Sequence, residues 1–150
     1  MLFPRARVPA PDLPPGRRSA LVVATDTYLD PGLSVLRSPA GDGASLARVL
    51  GDDSIGGFAV SEVLDRPWHE AAREVARFLR GRDPGEMVLI YLSCHGLLDS
   101  RNRLFFAAAD TEKDLLAATA MESSWLMDRV EECGAGAVRV RRAANHPMAP

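Results

Sequence analysis

The sequence has little cysteine. Cys94 and Cys133 are the only two in 150 residues, so no disulfide framework can be built and a reducing cytosol is the expected compartment. No apolar run approaches the ~18 residues of a membrane-spanning helix. No apolar core of about 7–15 residues follows the N-terminal arginines, so no secretory signal is read there. Charge of one sign is lacking too. The net charge of −2 gives no reason to expect nucleic acid or an anionic membrane as partner. The segment after the first apolar run reads Thr25-Asp26-Thr27-Tyr28-Leu29 and lacks the glycine-rich turn of a nucleotide-binding doubly wound domain. There is no internal repeat. No cofactor or metal is expected, and the chain is read as a soluble cytoplasmic protein.

What is present is an ordinary globular composition. A chain of this length forms one domain most simply and buries roughly two-thirds of its unfolded surface. Residues 1–18 carry five prolines and four arginines without periodicity and are expected to form a disordered leader. The domain is expected over 19–140, with an irregular tail over 141–150. Ser19 to Ala24 reads as a buried parallel strand, followed by a loop over 25–38. A first helix is expected from about Asp42 to Leu50, with Gly51 as its stop. A second strand covers Phe58–Leu64. A second helix runs from about Pro67 to Leu79, with Trp68, Ala71, Ala72, Val75, Phe78 and Leu79 on one stripe. Met87 onward is a third strand, Asp99–Arg103 a polar turn, and Leu104–Ala107 a short extended piece. Ser123 or Ser124 is expected to cap a third helix, and Ala137–Val140 begins a last strand. Strands alternating with helices imply a three-layer α/β/α sandwich with a mostly parallel sheet.

The strand Met87-Val88-Leu89-Ile90-Tyr91-Leu92 ends in Ser93-Cys94-His95-Gly96. The C-terminal edge of a parallel sheet is where α/β proteins place reacting groups, so His95 is a candidate catalytic base. Alternation puts Tyr91, Ser93 and His95 on one face and Cys94 on the other, which makes Cys94 a small packing residue. Gly96 is either an ordinary turn residue or a donor whose N–H faces a substrate oxygen.

These residues resemble the caspase-like cysteine peptidases, specifically the bacterial metacaspase-like branch (peptidase C14). The resemblance rests on five landmarks in order over some 120 residues: Ala20–Ala24, Leu36–Leu46, Ile55-Gly56-Gly57-Phe58, Tyr91–Gly96 and Asn102–Thr111. It implies a caspase-like fold and a Cys–His dyad acting on a peptide or protein substrate. His95 would take the thiol proton and return it to the leaving amine, with Gly96 N–H in the oxyanion hole. It also implies specificity for Arg or Lys at P1, with Asp42 lining that pocket; a helix cap explains Asp42 equally well.

The resemblance further implies a nucleophile on an Asp-x-Cys-x-Ser-Gly-like motif about 50 residues after the histidine. That count lands near Asn145, and the sequence has no cysteine after Cys133. Cys133 itself precedes the last strand, at the wrong sheet edge for a nucleophile. Two readings follow: a peptidase domain truncated or frame-shifted before its nucleophile, and a caspase-like binding or regulatory module without catalysis. Either way the chain is expected to be inactive. Cut to four residues, the last strand is expected to leave an apolar edge on Met87–Leu92 through which the chain self-associates.

Overall fold

The computed structural model describes residues 16–33 and 40–142, with side chains of the first helix described from residue 45 onward. Of the leader expected over 1–18, residues 1–15 lie outside the described residues, as do most of the tail over 141–150 and the side chain of Asp42; residues 16–18 are ordered instead, Gly16 N–H donating to Gly85 O and Arg18 opening the first strand. Four parallel strands form the central sheet in the order β2-β1-β3-β7. These are β1 (Arg18–Ala24), β2 (Ala59–Leu64), β3 (Met87–Ser93) and β7 (Ala137–Arg142).

Helix α1 (Ala40–Gly51) connects β1 to β2 on one face; Val60 on β2 lies against its last turn at Gly51. Helices α2 (Trp68–Leu79) and α4 (Ser123–Glu131) lie on the other. There Ala71, Ala72, Val75 and Leu79 of α2 close over Leu21, Val23, Val88, Ile90 and Leu92, with Leu126 of α4 in the same core. The expected three-layer sandwich is the observed one. Val88, Ile90 and Val75 are fully excluded from solvent, which is why β3 is nearly continuous in apolar residues rather than alternating. Among the described residues no helix is long and apolar enough to cross a membrane.

A second, antiparallel sheet stands at the C-terminal end of β3, in the order β4 (Gly96–Leu98), β5 (Leu104–Ala107), β6 (Ala120–Glu122). A short 3-10 turn, Lys113–Leu115, and helix α3 (Leu116–Thr119) join β5 to β6. Strands of three residues leave no alternation to read, so only β5 was legible as the extended piece Leu104–Ala107. The Asp99–Arg103 turn closes the β4–β5 hairpin. Asp99 Oδ1 accepts the N–H groups of Arg101 and Arg103, and Asn102 adopts φ +59°, a conformation asparagine tolerates better than most residues. Helix α4 begins at Ser123, and neither expected serine supplies a side-chain cap.

The last strand differs from expectation in a way that matters. It runs to Arg142 and pairs with β3 from Met87↔Ala137 to Leu92↔Arg142. Strand β3 is therefore covered on both sides, by β1 and β7, and the expected apolar edge on Met87–Leu92 is not there. The alternation Val138-Arg139-Val140-Arg141 carries pairing past Val140, because the valines face the α2–α4 core while the arginines stay in water.

Among the described residues the edges of the sheet are β2 and β7, and β7 is the one beside β3. Ala137 N–H donates to Glu86 O, so residues 137, 139 and 141 turn their backbone groups to β3 and the carbonyls of Val138 and Val140 point outward. Arg139 Nη1 donates to Val138 O and Arg141 Nη1 to Val140 O, at 3.0 and 3.1 Å. Charged side chains folded onto edge acceptors blunt strand addition. Replacing both arginines by threonine is expected to shift the chain toward larger species in light scattering. An unchanged mass distribution would show that the arginines do not guard this edge.

Candidate active site

His95 sits just past the C-terminal end of β3 with 3% of its surface exposed. Its ring Nε2 lies 3.1 Å from Leu33 O. A carbonyl can only accept, so Nε2 carries the hydrogen and Nδ1 presents the lone pair. That is the tautomer a general base needs. The ring stacks on Tyr28 with centroids 4.6 Å apart and 15° between planes. Tyr28 also ties down the backbone: its hydroxyl accepts His95 N–H at 3.1 Å and donates to Thr25 O at 3.2 Å. Desolvation raises the Tyr28 hydroxyl far above its ordinary pKa, so it stays neutral and donates.

A small core of Tyr28, Leu33, Leu97 and Ala107 holds this arrangement. It locks the loop after β1 against the start of the antiparallel sheet, fixing the Leu33 carbonyl opposite the imidazole. Asp65, at φ +50°, braces the same loop from the end of β2, its Oδ1 accepting N–H groups from Asp26 and Thr27 at 2.8 and 3.0 Å. Asp110, within the Asn102–Thr111 landmark, plays a structural part. Its Oδ1 accepts Trp68 N–H at 2.8 Å and caps the start of α2.

Burial is the main cause that holds His95 below its ordinary 6.5, with the Leu33 carbonyl pulling the other way. The unfolded chain therefore takes up a proton near pH 6.5 that the folded chain still refuses. Stability should be full above that pH and fall as the pH drops from about 6.5 toward the lower folded value. Urea midpoints followed across this window should decline less in His95→Gln than in the parent. Parallel declines would assign the effect to another group.

Gly96 opens β4. Ala107 N–H donates to His95 O and Asp99 N–H to Arg103 O, so the hydrogen-bonded pairs are 95/107, 97/105 and 99/103. Gly96, opposite Phe106, is then at a non-hydrogen-bonded position, and its N–H points away from β5. One face of Gly96 is covered by the Arg142 guanidinium; a methyl group there would collide with Nη1 and come within 3.1 Å of Cζ.

The structure does not bring either thiol to His95. Cys94 faces the α2–α4 core at 2% exposure. Burial pushes its thiol up to about 12, against smaller pulls from the Arg142 charge and the Ala107 backbone. Cys133 follows α4, just before Gly136 bonds to Glu86 O at the N-terminal edge of the sheet. The length of β3, roughly 23 Å for seven residues, separates that edge from His95. Asp42 lies in the first turn of α1. The sequence pattern pointed to His95 and Gly96 but not to Tyr28, Leu33 or Arg142. Tyr28 follows β1 at the C-terminal sheet edge and was open to the same argument as His95. Leu33 acts through its backbone, which no side-chain pattern reveals.

No protein-family model and no curated protein sequence matches the chain. Solved structures do match. The protein GSU0716 from Geobacter sulfurreducens aligns with a TM-score of 0.65 at 16% identity, over 85% of this chain and 50% of that one. Caspase-1 from Spodoptera frugiperda aligns with a TM-score of 0.61 at 16% identity, over 91% of this chain and 51% of that one. The fold is caspase-like. The pro form of the same caspase gives a TM-score of 0.61 over 91% of this chain and 49% of its own. The chain thus spans about half the length of each of these proteins, and at such identity the likeness is one of fold.

Proposed function

We propose that this chain is the histidine-bearing part of a caspase-like cysteine endopeptidase domain, and that it does not hydrolyse peptides by itself. The observation that carries the reading is His95, placed beyond a buried strand with Nε2–H engaged by Leu33 O and Nδ1 left as the basic nitrogen. In a complete dyad, that nitrogen would take the proton of an attacking thiol and return it to the leaving amine. Gly96 N–H, turned off the β4–β5 ladder, would meet the developing oxyanion. The substrate class is a peptide or protein with arginine or lysine at P1, Asp42 supplying the carboxylate that pairs with it. The assignment to the bacterial metacaspase-like branch belongs to the same proposal, as does a cytoplasmic location.

A second reading, a caspase-like binding module without catalysis, is favoured by Arg142, a cation beside Gly96 rather than a thiol beside His95. Both readings are tested by turnover of a peptide with arginine at P1. Cleavage that depends on His95 would sink both.

A further inference from the structure

The loop after β1 and the link from β5 to β6 each have a buried and an outer side. Tyr28 and Leu33 of the loop pack inward with Leu97 and Ala107, and Leu116 of the link packs on them. Outside that small core the two segments enclose a groove of ≈ 510 Å³, whose lining includes Leu29, Asp30, Asp110, Glu112, Asp114 and Leu115. Bonds between the segments fix its walls: Leu29 N–H donates to Ala109 O at 2.9 Å and Lys113 N–H to Asp30 Oδ2 at 2.7 Å. Leu29 is 78% exposed and Leu115 53%, so one concave site leaves two leucines in water, the kind of surface a partner covers. Asp30 and Asp110 accept backbone N–H groups, from Gly32 and Lys113 and from Trp68. The carboxylates of Glu112 and Asp114 have no hydrogen-bond partner among the described residues. None of the four is in an ion pair there, although the Lys113 charge tempers Asp30.

We propose that this groove is a docking site for a polypeptide segment in which arginine or lysine flanks a leucine-like residue. The apolar side chain covers Leu29 and Leu115, and the flanking cations meet Glu112 and Asp114, whose oxygens are unspent. Each half of that chemistry is needed. A purely apolar segment would draw carboxylates out of water without a partner, and a purely basic one would leave the leucines wet. The acidic field repels nucleic acid and anionic lipid. This inference does not rest on the dyad: neither His95 nor Asp42 lines the groove. The bound segment lies on the outer side of the loop whose inner residues, Tyr28 and Leu33, hold His95.

The test is fluorescence anisotropy of the full chain with three labelled short peptides, blocked at both ends. The first carries arginines on either side of a leucine, the second replaces the arginines by glutamate, and the third replaces the leucine by serine. The first is expected to bind about tenfold or more tighter than the glutamate peptide, since like charges would then face each other. It should also bind about tenfold tighter than the serine peptide, which buries less apolar area. Glu112→Gln with Asp114→Asn should weaken the first peptide roughly fivefold, as the loss of two exposed ion pairs predicts. Both positions are exposed, so the melting temperature of that variant should match the parent's. Failure of the first peptide to bind would overturn the docking site, as would equal binding of the glutamate peptide or an unchanged affinity in the double variant. Equal binding of the serine peptide would overturn the part given to Leu29 and Leu115. Binding lost in Asp42→Asn but kept in the double variant would belong to the P1 pocket, and would overturn the groove without touching the peptidase reading. A dimer of the parent that the double variant dissolves would give the groove to a second copy and overturn the assignment to a separate partner.

Discussion

Mixed with a fluorogenic peptide carrying arginine at P1, the purified chain is expected to release fluorophore no faster than its His95→Ala variant. The reason is geometric. Nucleophile and base must come within hydrogen-bonding reach, and the chain has two thiols, both away from His95. Cys94 is sealed in the α2–α4 core with its thiol held protonated by burial. Cys133 lies at the far edge of the sheet. In a peptidase that attacks through a side chain, loss of the nucleophile alone costs about a million-fold in kcat. A histidine without its thiol therefore leaves nothing to measure. Turnover abolished by His95→Ala would overturn this, and comparison of Cys133→Ser with Cys94→Ser would then identify the thiol responsible.

The largest stability effect is expected from Ile90→Ala. Ile90 is the centre of β3, fully buried between β1 and β7 and facing α2. Close neighbours on every side limit collapse around the lost methyl groups. The substitution should cost roughly 2–5 kcal/mol, transfer and cavity contributions together. A domain of this size has only about 5–15 kcal/mol in total, so a large share of the stability is at stake. The melting temperature should fall by about 2–4 °C for each kcal/mol lost. Leu98→Ala is the control: Leu98 is 55% exposed and its loss should stay within about 0.5 kcal/mol. Equal shifts for the two variants would mean that the β3 core does not carry the fold.

The layered α/β architecture was legible in the order of apolar segments, because a buried parallel strand and an amphipathic helix leave different periods. The stripe on α2 and the unbroken run of β3 are the clearest cases. The candidate base was legible for a related reason: a polar ring ending an apolar strand has to stand at the sheet edge. The short strands β4 and β6 were not, since three residues carry no period. Nor was the length of β7, where alternating valine and arginine sustain pairing beyond the point at which the apolar pattern fades.

The amino-acid sequence by itself determined that His95 closes the third strand, that Cys94 turns inward, and that Cys133 precedes the last strand. These are matters of order and alternation along one chain. Only the tertiary structure decided which nitrogen of His95 is basic, since that depends on the Leu33 carbonyl arriving 62 residues away in sequence. It also decided that β3 is covered by β7, and that Arg142 lies on Gly96. Contacts between distant segments are set by how the layers pack, and local pattern carries no record of them.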